Sequence, residues 1–154
     1  MKRLLIVVGV LAVAVVGLIL AVRSYKPPTP ENIGVTNGQL APCPDSPNCV
    51  SSYATDPEHA MDPLPLTGSA SEAQDRLVQI VMSMPRTEIV VNEPGYIHAE
   101  FRSQIMDFMD DVEFYIDEEA QVVHFRAAAR LGRSDMGVNR QRMEEIGTAF
   151  ATNP

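Results

Sequence analysis

The chain has no tryptophan and only two cysteines in 154 residues. Two cysteines cannot staple a disulfide-dense miniprotein, and alone they cannot supply the four ligands of a closed zinc site. Lysine is scarce as well: Lys2 and Lys26 are the only two, and both flank an apolar N-terminal run. From Pro27 onward, eight arginines stand against twenty acidic residues, a net charge of −12. A body that acidic repels a phosphate backbone, which excludes general nucleic-acid binding. The catalytic templates are missing too: no G-x-S-x-G, no H-E-x-x-H and no Gly-rich phosphate loop. No C-x-x-C is present, so neither a metal site nor a cofactor is expected. What is there, 45% hydrophobic and 21% charged residues, fits one ordinary folded domain.

Leu4 to Val22 is a run without one charged or strongly polar side chain. At about 1.5 Å per residue it matches a hydrocarbon core of about 30 Å. A soluble core helix would show a polar face, and this run has none. An uncleaved membrane anchor is the first reading. The second is a cleaved signal peptide, which would leave a secreted body; Ala21-Val22-Arg23-Ser24-Tyr25 is a poor cleavage site for it. Lys2 and Arg3 ahead of the span favour an N-terminus inside, although Arg23 and Lys26 nearly balance them. The expected location is a bacterial inner membrane, crossed once, with the body in the periplasm or outside the cell. We expect residues 1–26 to be anchor or signal, 27–41 a Pro-rich spacer, and 42–154 the exported domain.

Nine of the twelve prolines fall between Pro27 and Pro65. Pro27-Pro28-Thr29-Pro30 reads as a stiff extended spacer. Residues 38–67 read as irregular chain with turns, yet Val50, Tyr53, Leu64 and Leu66 are apolar enough to lie along the body. Regular structure starts at Ser69, where Ser69-Ala70-Ser71-Glu72 has capping-box spacing. Ala73, Leu77, Ile80, Val81 and Met84 then form one stripe at helical period, and Pro85 ends it. Glu88–Val91 and Tyr96–Arg102 read as strands around a turn at Asn92–Gly95.

Asp111–Ile116 and Gln121–Ala129 form a second expected hairpin. Closed with Asp117 opposite Ala120, it sets Phe114 against Val123 and Val112 against Phe125 on a buried face. The other face sets Glu113 against His124 and Asp111 against Arg126. A last helix, capped by Ser134 or Asp135, should run from Met136 to about Ala149, with Met143, Ile146 and Phe150 inward. The expected fold is α+β: a four-stranded antiparallel sheet with two helices on one face, preceded by the transmembrane helix and the Pro-rich segment.

Three stretches resemble a known family. They are Pro42-Cys43-Pro44-Asp45-Ser46-Pro47-Asn48-Cys49-Val50-Ser51-Ser52, then Asp110-Asp111-Val112-Glu113-Phe114, then the run from Arg130 to Arg140. Together they resemble the signature blocks of the family named domain of unknown function 1499. Ala129 departs from the pattern, which has a serine before the arginine. The resemblance implies an exported or membrane-attached protein, and it supplies no activity, substrate or catalytic residue.

Cys43 and Cys49 flank a Pro-rich turn. In an oxidising compartment they should pair, restricting the unfolded chain by about 2–2.5 kcal/mol. Redox activity and metal binding are the lesser readings. Arg126, Arg130, Arg133, Arg140 and Arg142 form the one basic cluster. Charge balance against the preceding acidic strand, with Asp107 available to Arg130, is the plainer explanation. An anion site at a helix start is the sharper one, and its candidate ligands are Arg130, Arg133, Asn139 and Arg140. Met106, Phe108 and Met109 read as core filling, or else as a pocket mouth or lipid contact.

The function expected is a non-catalytic binding module for an anionic small molecule, a lipid headgroup or an envelope partner. One alternative is an envelope hydrolase using Ser51 or Ser52 with one of His59, His98 or His124. Another is a purely structural or assembly role.

Overall fold

The computed structural model describes residues 2–152. The apolar run forms α1 (Lys2–Ser24), long and apolar enough to cross a membrane or to act as a signal sequence. Residues 25–48 follow without helix or named strand. The body then runs β1 (Cys49–Ser51), β2 (Leu64–Pro65), α2 (Ala70–Ser83), β3 (Thr87–Glu93), β4 (Tyr96–Arg102), β5 (Met109–Asp117), β6 (Val122–Ala129) and α3 (Val138–Thr152).

The fold is α+β with one antiparallel sheet, but the sheet has six strands rather than the expected four. Its order is β1-β6-β5-β4-β3, with β2 also paired to β6. The two additional strands are short pieces of the Pro-rich region laid along one edge of β6. Cys49 pairs with Ala128 and Ser51 with Arg126, while Leu64 pairs with Val123. Left bare, the apolar β6 would offer a row of unpaired backbone groups, and these pieces close it. Strands of two and three residues flanked by proline carry too little alternation to be read from sequence.

Local signals built the rest as expected. Ser69 Oγ accepts the Glu72 amide and the Glu72 carboxylate receives the Ser69 amide, completing the capping box. Ala73, Leu77 and Val81 from α2 join Met143, Ile146 and Phe150 from α3 over Ile97, Ala99, Phe101, Val112, Phe114 and Phe125. Both helices therefore cover the same face of the sheet. Gly147 of α3 admits Leu64 closely: a Cβ there would stand 3.2 Å from Leu64 Cδ2.

The β5–β6 register is two residues from the one expected. Phe114 pairs with Phe125 and Glu113 with Arg126, not with Val123 and His124; Asp111 lies opposite Ala128. The reason is the turn. It has four residues, with Gln121 in the left-handed region at φ 57° and the Asp117 carboxylate accepting the Ala120 amide. A shift of two preserves which side chains face the helices and changes every cross-strand partner.

The second face of the sheet is not the solvated one the alternation suggests. His98, Glu100, Asp111, Glu113 and Arg126 are all buried. Residues 27–34 reach this face. Pro27 is itself buried, its carbonyl accepts Arg130 Nη1 at 3.1 Å, and the Gly34 amide donates to Glu113 Oε1 at 2.7 Å. Truncating Phe114, fully buried at the centre of the helix-covered face, should destabilise the body by about 3–5 kcal/mol. Urea denaturation of Phe114→Ala checks this.

Candidate functional site

Five arginines formed the basic cluster of the sequence, and the fold gives most of them partners inside the molecule. Arg130, the first residue past β6, is tied most tightly. Its Nε and Nη2 each reach an Asp111 oxygen at 2.7 Å, and Nη2 also reaches Glu100 Oε1 at 2.5 Å. Asp107, the expected partner of Arg130, lies instead 3.7 Å from Arg102. Asp111 is 1% exposed and is shared with His98 Nε2 at 2.7 Å. Burial alone would raise its pKa, but hydrogen bonds from Arg130 and His98 outweigh that and hold it below the ordinary carboxylate value. The same bonds raise the Arg130 pKa.

Beside this cluster Glu113, on the same face, receives Tyr96 Oη at 2.8 Å and Arg126 Nη1 at 3.4 Å. Arg126 Nε is buried with no hydrogen-bond partner among the described residues. Arg142 points to the helix-covered side, where Nη2 bonds Asp110 at 2.8 Å and Nη1 bonds Asn139 Oδ1. Asp110 and Asp111 thus serve opposite faces of β5, as strand alternation requires.

The remaining candidates divide. Asn139 is fully buried; its Nδ2 donates to the Asn48 carbonyl at 3.4 Å, tying α3 to β1. Arg140 holds the loop between β1 and β2, donating to the Ala60 carbonyl at 3.1 Å and the Glu58 carbonyl at 3.0 Å. Arg133 is exposed and makes no hydrogen bond or ion pair among the described residues. It sits in the turn from Arg130 to Gly137. There the Asp135 carboxylate receives the Gly137 and Asn139 amides, but α3 begins at Val138 and not at the expected Met136, because Met136 and Gly137 both lie in the left-handed region. Two residues before Arg133, Leu131 lines a cleft of 380 Å³ with Phe108, Pro27, and Val22 and Tyr25 at the end of α1.

Of the methionine-rich connection, Met109 fills the core while Phe108 is 41% exposed. The Cys43 and Cys49 sulfurs are joined, 2.04 Å apart. Cys49 opens β1, so the crosslink fastens the irregular segment to the sheet edge.

The serines differ from one another. Ser51 is buried and its Oγ accepts the Tyr53 amide at 3.1 Å. Ser52 Oγ accepts the Phe125 amide at 3.0 Å and lies 3.0 Å from His124 Nδ1. Tyr53 stacks on the His124 ring at 4.0 Å. Burial lowers the His124 pKa despite the nearby Asp117, leaving a neutral ring that can accept. Ser52 and Arg140 line one cleft of 420 Å³. His59 stands apart, 2.7 Å from Asp56.

Residues 39–150 match the family described as protein of unknown function (DUF1499). The chain belongs to the DUF1499 family. No curated protein matches it. In this DUF1499 protein the three signature stretches meet in space. Asn48 of the first accepts the Ala129 amide at 3.0 Å and donates to the Gly132 carbonyl at 2.8 Å, while Asp111 of the second holds Arg130 of the third.

The layer around Asp111, which joins β4, β5 and the end of β6, was missed from the sequence because its members sit on what alternation marks as a solvent face. Its signal was the density of charge on strands whose other face is apolar apart from Asp110. A carboxylate held below its unfolded value contributes its stability fully above about pH 4, and loses it as pH falls through the lower folded value. Asp111→Asn should therefore flatten the acid limb of the melting temperature between about pH 2 and pH 5. It should also cost about 3–5 kcal/mol at neutral pH by leaving Arg130 underpaired. Thermal melts across that range on both proteins check the two effects.

Proposed function

We propose that this protein is a single-span envelope protein of a bacterial inner membrane, anchored by Leu4–Val22, with its body in the periplasm. In this reading it is a non-catalytic binding module for an anionic or lipid-like ligand at the Arg133 turn. The observation that carries it is the contrast within the arginine cluster. Arg130, Arg140 and Arg142 are committed to partners inside the fold, while Arg133 is exposed, unpaired and two residues from an apolar cleft shared with the end of α1. A guanidinium at the rim of an apolar cleft suits an amphiphile with an anionic head. The Cys43–Cys49 crosslink fits an oxidising compartment.

Arg133→Ala in the full chain should lose retention of phosphatidylglycerol, read by lipid analysis of the detergent-purified protein, with the melting temperature nearly unchanged. Arg140→Ala should lower the melting temperature by freeing the 58–60 loop while retaining lipid. Equal lipid retention by wild type and Arg133→Ala would assign the turn to structure, in line with a purely structural or assembly role.

A second reading rests on the 3.0 Å approach of Ser52 Oγ to His124 Nδ1. An acyl-transfer enzyme would pass the Ser52 proton to His124 as Oγ bonds the ester carbon, and His124 would return it to the departing alkoxide; water would then release the acyl group. Against it, no carboxylate bonds the His124 ring among the described residues, and Ser52 Oγ already bonds the β6 backbone. Labelling by a fluorophosphonate probe, abolished in Ser52→Ala, would favour this reading. An unlabelled folded wild type would end it.

A further inference from the structure

The distance between anchor and body is short enough to fix how the body meets the membrane. The apolar run ends at Val22, α1 ends at Ser24, and Pro27 is already buried against the sheet with its carbonyl on Arg130. Only Tyr25 and Lys26 intervene, so Ser24 and Pro27 are three Cα steps apart, at most about 10–11 Å of extended chain. A headgroup layer is roughly 5–7 Å deep on each side of the hydrocarbon core. If α1 spans a bilayer, the residues that share a cleft with Val22, the last of the apolar run, lie at headgroup level, and Pro27, Phe108 and Leu131 are among them.

Two loops surround Pro27. The β4–β5 connection, residues 103–108, touches the anchor directly: Arg23 Nη1 donates to the Ile105 carbonyl at 3.2 Å. The β6–α3 connection, residues 130–137, shares the apolar cleft with Val22 and Tyr25 through Leu131. Strand pairing sets the two loops side by side, since Arg102 pairs with Met109 and Asp110 with Ala129. Both present large apolar side chains outward: Ile105 is 70% exposed, Met136 95% and Leu131 38%. Phe108 of the first loop is exposed too, while Val35, Met82, Val90 and Val138, the other exposed large hydrophobics after residue 27 among the described residues, are spread over different parts of the body. Arg23, Lys26 and Arg133 supply positive charge at this end of a body whose net charge is strongly negative.

We infer that the 103–108 and 130–137 loops dock into the headgroup layer around the anchor, with Ile105 and Met136 as apolar wedges, so that the body rests on the bilayer in one orientation. The inference rests on the anchor reading above and deepens it: the partner of this surface is the lipid bilayer that α1 enters. Continuity with the span decides for lipid, because a protein occupant would have to sit in the headgroup plane beside α1. Apolar wedges flanked by cations are how interfacial segments hold to a membrane, reaching about 5–10 Å into the boundary.

The absence of tryptophan gives a clean reporter. Ile105→Trp, Met136→Trp and Glu119→Trp are each made in the full chain and reconstituted in phosphatidylglycerol vesicles doped with brominated phosphatidylcholine. Glu119 lies in the β5–β6 turn, a nine-residue strand away, roughly 25–30 Å. Tryptophan at 105 and 136 should shift to the blue and lose emission to the bromines, and tryptophan at 119 should do neither. Adding Ile105→Glu and Met136→Glu to a Phe108→Trp chain should remove quenching without lowering the melting temperature.

Loop tryptophans quenched no more than the one at 119 would overturn the docking, as would quenching that survives both glutamates. A mature protein whose mass lacks the anchor would overturn it as well. Phosphatidylglycerol retention by Arg133→Ala, measured on the detergent-purified protein before reconstitution, reads the ligand site separately: quenching without Arg133-dependent retention keeps the docking and removes that site, and the opposite result does the reverse.

Discussion

A carboxylate that water cannot reach holds this structure together. Asp111 lies on the face of β5 turned away from the helices, and Arg130 and His98 both reach it at 2.7 Å. Arg130 follows β6 and His98 is on β4, so one anion ties the end of β6 to the two strands beside it. Arg130 then reaches Glu100 on β4 and the Pro27 carbonyl just past α1. A buried charge cluster of this kind is weak as a net source of stability, yet removing one member leaves the others unpaired in a low dielectric. Here the backbone of the segment after α1 helps to satisfy those charges, through the Pro27 carbonyl on Arg130 and the Gly34 amide on Glu113.

That constraint explains why the arginine cluster divides as it does. An acidic body with few cations uses them first where burial makes an unpaired acid expensive. Asp111, Asp110 and Glu113 draw in Arg130, Arg142 and Arg126 respectively. Arg133, in the turn between β6 and α3, makes no ion pair among the described residues, and its charge is left at the surface. The outward position of Arg133 follows from turn geometry as much as from any demand of a ligand.

The sequence made legible what depends on local chemistry and on alternation. The capping box at Ser69, the stripe of Ala73, Leu77 and Val81, and the inward faces of β4, β5 and β6 all follow from residues close to one another. The register between β5 and β6 was misread by two because opposite charges can pair along either diagonal. Only the conformation of Gln121 sets the turn length. β1 and β2 were illegible because short edge strands draw their identity from the strand they cover. The buried second face was illegible for a related reason: residues 27–34 reach it through backbone groups, the Pro27 carbonyl and the Gly34 amide, which leave no side-chain pattern. Of the candidate site residues, the sequence located the cluster but could not distinguish an arginine committed to a distant acid from one left free.

The family signature takes on a physical meaning from these contacts. Asn48, Asp111, Arg130 and Asn139 are the kind of polar residues that invite a catalytic reading, and each is occupied in joining one segment of the fold to another. Ala129, where the resemblance leads one to expect a serine, sits opposite Asp110 in the ladder. A hydroxyl there would stand beside a carboxylate whose pKa burial raises even with Arg142 bonded to it. The signature thus reads first as the set of polar ties that let a sheet be buried on both faces. In the proposed binding role, the ligand falls to residues that those ties leave outside, at the end of the body next to α1.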